Sequence, residues 1–187
     1  MVVIMTPLLI QDGIRLSLAD SAQECVALQQ FIRAQAQLSY QCEPPPSHGP
    51  IIGAWKDEAI VGSVALCFRG SEEPFPLEDL YEDTAFRTLF PEGFNRTLIA
   101  EAGRWFSALR GSPVSSLLLR AMRQYVLAQG KHMVIGEAKA YAIQIFRTLN
   151  YKCVWLPQYE PRIETVPREG RRYYTTLPAP HLFRMDL

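Results

Sequence analysis

The chain has 187 residues, 48% hydrophobic and 20% charged, with 19 basic side chains against 19 acidic ones. That length fits a single domain spanning 1–187, with enough core to fold without disulfide or metal staples. A formal charge of zero excludes a generally basic nucleic-acid binder and a polyacidic tail protein. The four cysteines, Cys25, Cys42, Cys67 and Cys153, show no C-x-x-C spacing and read as reduced structural thiols. No apolar run reaches the ~18 residues of a membrane span. The apolar start lacks a basic n-region, so the reading is a cytoplasmic protein without stable membrane insertion.

In chain order, Ile14, Leu16 and Leu18 alternate with Arg15 and Ser17, as in a short strand. Asp20-Ser21 followed by Glu24 signals a helix start, and the apolar stripe behind it predicts a helix over 21–37. Pro44-Pro45-Pro46 and Pro50 then impose a loop. Residues 51–55 and 59–68 flank the polar turn Lys56-Asp57-Glu58 as a hairpin. In its second strand Ile60, Gly62, Val64, Leu66 and Phe68 are expected on one face. Six acids over 72–83 read as solvated surface around a loop and short helix. Residues 96–106 read as a strand. Ser112-Pro113 opens a helix with Ser as N-cap, and Gly130 closes it. A buried strand at 133–135, a helix at 138–149, a strand at 151–156 and a last strand at 172–177 follow. A hairpin early and strand–helix–strand crossovers late require a mixed α/β sheet.

The segment Arg110-Gly111-Ser112-Pro113-Val114-Ser115-Ser116, set between a strand and an aliphatic helix, resembles the acyl-donor loop of the GNAT acyltransferase superfamily, Q/R-x-x-G-x-G/A. Arg110 matches the first motif position; Pro113 and Ser115 replace the two small ones. Downstream, Asn150 replaces a Gly and Phe146 stands where many acetyltransferases carry a Tyr acid. Within the superfamily, Glu101, Arg104 and Trp105 match the E-x-x-R-[FW] signature of the acyl-homoserine lactone synthases and N-acyl amino acid synthases. Arg69, Pro74-Phe75-Pro76-Leu77-Glu78 and Phe90 are similar to that subgroup's R…P-x-P-x-E…F segment. Residues 20–50 lack its Trp and its D-x-x-D pair, which favours an amine acceptor other than S-adenosylmethionine.

The resemblance implies a GNAT-like mixed central sheet flanked by helices. It implies an N-acyltransferase that moves a fatty acyl group from an acyl thioester to the amine of an amino acid or similar small molecule. The donor would be acyl-phosphopantetheine on acyl carrier protein, or acyl-CoA. Its catalytic set would be Glu101, Arg104 and Arg69. Its donor loop would be Arg110, Gly111, Ser112, Val114, Ser115 and Ser116. An ordinary acetyl-CoA-dependent acetyltransferase and a non-catalytic GNAT-like binding module are the alternatives.

Elementary chemistry supports Glu101 independently. An ammonium must lose a proton before it attacks a thioester, and a carboxylate can take it. Glu101 lies in an apolar strand, where desolvation raises its pKa. In a regular strand Glu101 and Arg104 face opposite sides; a bulge near Gly103 would bring them to one cleft. Trp105, Phe106, Met122, Tyr125 and Phe146 read as core first and acyl tunnel second. His48, His132 and His181 have no partner at ligand spacing, so no metal is expected. Arg120 and Arg123, or Arg168, Arg171 and Arg172, are candidates for docking an acidic carrier protein.

Overall fold

The computed structural model describes residues 8–45, 47, 49–90, 95–109 and 111–187. Pro46, His48 and Arg110 lie outside them. Among the described residues eight strands form one mixed sheet and five α-helices flank it.

The first strands are β1 (Leu9–Gln11) and β2 (Ile14–Leu18), an antiparallel pair. The expected first helix is α1 (Ala22–Tyr40), three residues longer at its end than periodicity suggested. Its start is built as the sequence predicts. Ser21 Oγ accepts the Glu24 amide at 3.1 Å, and the Glu24 carboxylate accepts the Asp20 amide at 3.3 Å. The hairpin is β3 (Ile51–Lys56) and β4 (Ala59–Phe68).

Residues 96–98 are a 3-10 turn rather than strand, and β5 runs Ile99–Ser107. The expected helix after Ser112 is α3 (Val114–Ala128), preceded by α2 (Asp83–Leu89). Pro113, not Ser112, occupies its cap position. Then come β6 (Met133–Ala138), α4 (Ala140–Thr148) and β7 (Lys152–Leu156). The expected strand at 172–177 is instead helix α5 (Arg171–Thr175), and the last strand is β8 (His181–Asp186). Tyrosines and threonines favour strands locally, but both tyrosines of α5 are turned toward groups distant in sequence, and tertiary contact overrides propensity.

The sheet order is β1-β2-β3-β4-β5-β6-β8-β7. Neighbours pair antiparallel except β5 and β6, the parallel pair joined through α3. That pairing stops at Ala102↔Gly136, although β5 continues to Ser107 and β6 to Ala138. The two strands part there. A Cβ at Gly136 would lie 2.6 Å from the Ala102 carbonyl oxygen, so only glycine permits the close approach just before the strands separate.

Two irregularities break the alternation. Opposite Ala54/Trp55, Val61 is an extra residue in β4. Ile60 therefore packs toward α1, while Val64 and Leu66 join the α3 side, against the expectation of one shared face. Between β4 and β5 the register passes from Ser63↔Phe106 to Ala65↔Gly103, so β5 carries an extra residue at Arg104/Trp105. Arg104 has φ +52°, and its carbonyl accepts the Ser63 hydroxyl at 3.2 Å.

Helices α3 and α4 cover one face. Val114, Leu117, Leu118 and Met122 pack with Val64, Ala100, Val134, Phe146 and Phe183 in the main core. The other face is covered by α1 over β3 and β4, and by the segment from Phe75 to α2 over β5 and β6. No helix among the described residues is long and apolar enough to cross a membrane.

Candidate active site

The bulge in β5 decides which side chains share a cleft. Before it, Ile99 and Glu101 point to the α2 side, and Ala100 and Ala102 to the α3 side. The extra residue keeps Arg104 beside Glu101. It sends Trp105 into the α3/α4 core, stacked on Phe146 with ring centroids 5.2 Å apart, and Phe106 to the α1 side. Glu101, Gly103 and Arg104 line one small cleft of about 50 Å³ together with Arg69, Cys67, Pro76 and Ser47. All three residues expected to be catalytic thus meet in one place.

Glu101 is only 9% exposed. Burial pushes its carboxyl from 4.5 up to about 7; a neighbouring carboxylate, Glu137, adds to the rise, while the Leu77 amide, Arg104 and Arg69 oppose it. The Leu77 amide donates to Oε2 at 3.1 Å. That amide is positioned by the proline-bracketed turn at Pro76–Asp79, in which Glu78 accepts the Phe75 amide at 2.8 Å and pairs with Arg96. Glu78 is therefore engaged, whereas Glu72, Glu73, Asp79, Glu82 and Asp83 are exposed as the charge run suggested.

Glu101 and Arg104 form no ion pair within 4.0 Å. Arg104 Nε donates to the Pro45 carbonyl at 3.1 Å, which ties the proline-rich loop to the cleft wall. The same loop is held from α1, where Gln29 exchanges two hydrogen bonds with the Ser47 backbone. Arg69 follows β4, and among the described residues its buried Nε has no hydrogen-bond partner. Two guanidinium groups therefore face a cleft with donors to spare, an arrangement suited to a carboxylate. Cys67, opposite Glu101 in the register, is half-buried, and burial pushes its thiol up, which disfavours the nucleophilic thiolate.

The expected donor loop lies at the N-terminus of α3, across the sheet. Gly111 has φ +71° and is exposed. Ser112 Oγ donates to the Leu109 carbonyl at 2.8 Å and accepts the Val114 amide at 3.4 Å. Val114 is wholly buried, so it anchors the helix rather than touching a ligand. The Ser115 and Ser116 amides form no hydrogen bond among the described residues. They are the two donors left at this helix start. Arg110 is outside the described residues.

The aromatic set does not line a single tunnel. Trp105, Met122 and Phe146 lie in the α3/α4 core, Tyr125 packs on Phe68 with centroids 6.1 Å apart, and Phe106 is on the opposite face. Arg120 is exposed on α3. Arg123 lies over the Tyr151 ring at 5.9 Å, and Arg171 is spent on the Val166 and Glu164 carbonyls.

Sequence reasoning missed two groups beside this site. Glu137, in β6, accepts the Tyr174 hydroxyl at 2.7 Å on Oε1 and the Tyr81 hydroxyl at 3.4 Å on Oε2. Burial pushes its carboxyl up to about 7, against its two tyrosine donors, Arg104 and Lys139. Lys139 is 3% exposed and donates to the carbonyls of Tyr173, Thr176 and Pro178 at 3.2, 2.6 and 2.9 Å, which fastens α5 and the chain after it to the end of β6. The visible signal was a Glu and a Lys closing the apolar run Met133-Val134-Ile135-Gly136.

No protein-family model and no curated protein sequence matches the chain. Solved structures do. An acyl-homoserine lactone synthase, LasI, superposes with a TM-score of 0.62 at 11% identity, covering 94% of this chain and 91% of that one. FeeM, an N-acyl amino acid synthase from uncultured soil microbes, gives 0.57 at 16%, covering 92% and 89%. An N-acetyltransferase from Staphylococcus aureus Mu50 gives 0.54 at 15%, covering 94% and 98%. The fold is GNAT-like, with a resemblance to the acyl-homoserine lactone synthases, as the sequence motifs implied.

Proposed function

We propose that the protein is an N-acyltransferase that passes an acyl group from a thioester to the amine of an amino acid or similar small molecule. The observation that carries this reading is the convergence of Glu101, Arg69 and Arg104 on one cleft beside the point where β5 and β6 part. Parted parallel strands expose backbone donors and acceptors, to which an extended pantetheine arm can bind.

Each group has a task. Glu101, with a carboxyl near 7, is balanced between holding and releasing a proton at neutral pH, which suits a general base. It takes a proton from the acceptor's ammonium, directly or through water. The freed amine attacks the thioester carbonyl carbon. As the new C–N bond forms, the C–S bond breaks, and the departing sulfur takes the second proton from nitrogen and leaves as a thiol. Arg69 and Arg104 hold the acceptor's carboxylate and so aim its amine. The donor is acyl-phosphopantetheine on acyl carrier protein, or acyl-CoA, its anionic part at the Ser115 and Ser116 amides. Pro113 occupies the cap of α3 and has no amide hydrogen. That reduces the donors available to a diphosphate and favours the carrier protein.

Mass spectrometry of lipid extracts from overexpressing cells identifies acceptor and acyl chain together. With that pair in hand, Glu101→Gln is expected to lower turnover by about 10²–10⁴-fold with circular dichroism unchanged. Undiminished turnover at saturating acceptor refutes the role of Glu101.

A further inference from the structure

Glu137, half-buried at the end of β6, is an ionisable group that the proposed reaction leaves without a task. In the parallel pair Glu101 lies opposite Ile135 and Ala102 opposite Gly136. Glu137 is therefore the next residue of β6 on the Glu101 face. Strand spacing and rise place the two Cα atoms about 8 Å apart, on the edge where the strands begin to part. Ionised carboxyl groups on side chains that close, partly shielded from water, repel one another.

The partners of Glu137 are as specific as its position. One oxygen takes the hydroxyl of Tyr174, from α5. The other takes that of Tyr81, which follows the turn carrying Leu77. Tyr81 is 1% exposed, and the turn beside it is tied to the chain at Arg162 and Thr165 by bonds to the Glu78 and Asp79 carbonyls. The Leu77 amide is the one that Glu101 accepts. Glu137 thus reaches Glu101 by two routes, one electrostatic and one through the Tyr81 segment.

We propose that Glu137 is a positioning residue for Glu101, its charge strengthening Glu101 as a base and its tyrosine clasp holding the Leu77 amide over that carboxylate. This rests on the reading of Glu101 as the base. The groups facing Glu101 are Arg104 on its own strand, Cys67 from β4, Arg69 just after β4, and Glu137 from β6. Those facing Glu137 are Tyr81, Tyr173 and Tyr174 from the covering segments, Lys139 at the cap of α4 just after its strand, and Glu101 and Arg104 from β5. The cations favour ionisation of either carboxyl, so the repulsion shows as the order in which the two protons leave.

The test is a pH titration of the side-chain carboxyl carbons by ¹³C NMR, which needs no substrate, run beside pH profiles of kcat/KM. The parent should show Glu101 and Glu137 titrating as a coupled pair around neutrality. In Glu137→Gln the Glu101 step, and with it the acid limb of kcat/KM, should move down by about one pH unit. Tyr174→Phe, which removes one donor and keeps the carboxylate, should move the Glu137 step up and the Glu101 step down. A Glu101 step unmoved in Glu137→Gln overturns the inference. Should that variant not fold, steps unmoved in Tyr174→Phe overturn it. Full turnover in Glu101→Gln instead refutes the base reading, whereas turnover lost there with an unmoved titration refutes the role of Glu137 alone.

Discussion

A carboxyl raised on folding makes the folded state pay for ionisation, and Glu101 allows that cost to be read without any substrate. In the unfolded chain it titrates near 4.5; in the folded protein it titrates near 7. Between those values the folded state binds more protons than the unfolded one, so stability falls as pH rises through the interval. Below 4.5 both states are protonated and nothing is lost. Above 7 both are ionised and the full difference, about 3 kcal/mol at 1.36 kcal/mol per pH unit, weighs against folding. Glu101→Gln removes the ionisation and keeps a carbonyl oxygen for the Leu77 amide. Its stability gain over the parent should be small at pH 4.5 and grow to about 3 kcal/mol at pH 8. Urea unfolding of both proteins at half-unit steps of pH reads this difference as a shift in midpoint at constant slope. A gain that does not depend on pH, or a variant less stable than the parent at pH 8, would refute the argument. The Glu101 carboxylate would then be stabilised by Arg69 and Arg104 more than it is penalised by burial.

Two further outcomes follow from the surfaces and the sheet. Reversing the charge of the α3 arginines, exposed Arg120 and half-buried Arg123, with Arg120→Glu and Arg123→Glu together, should raise KM for an acyl-carrier-protein donor while sparing kcat. A small acyl-pantetheine should react unchanged, and steady-state kinetics with the two donors separates the cases. Gly136→Ala places a Cβ within 2.6 Å of the Ala102 carbonyl oxygen and 2.8 Å of the Phe183 ring. It should destabilise the fold by about 1–3 kcal/mol in the same urea assay.

Local chemistry along the chain determined most of the element order. The Ser21 cap, the apolar stripe behind it and the polar turn at Lys56-Asp57-Glu58 fix α1 and the β3–β4 hairpin through interactions that span a few residues. The sequence also made Glu101 conspicuous as a carboxylate in an apolar strand, and motif spacing singled out Arg69 and Arg104. Whether the three would meet was a question of register. One extra residue in β5 answers it, because the side-chain period is two and a single insertion moves every later residue to the other face. The same sensitivity misled the expectation for Ile60, where the extra Val61 breaks the alternation. The C-terminal region was the least legible. Arg171–Thr175 has strand-forming residues yet folds as a helix, and β8 inserts between β6 and β7, a position that no neighbour in sequence dictates. The partners of Glu137 lie 37 and 56 residues away in the chain. The sequence by itself determined which groups ionise and which segments coil or extend. Only the tertiary structure decided that two carboxyl groups share one face of the sheet, because burial and charge proximity are set by strands that pair across long stretches of chain.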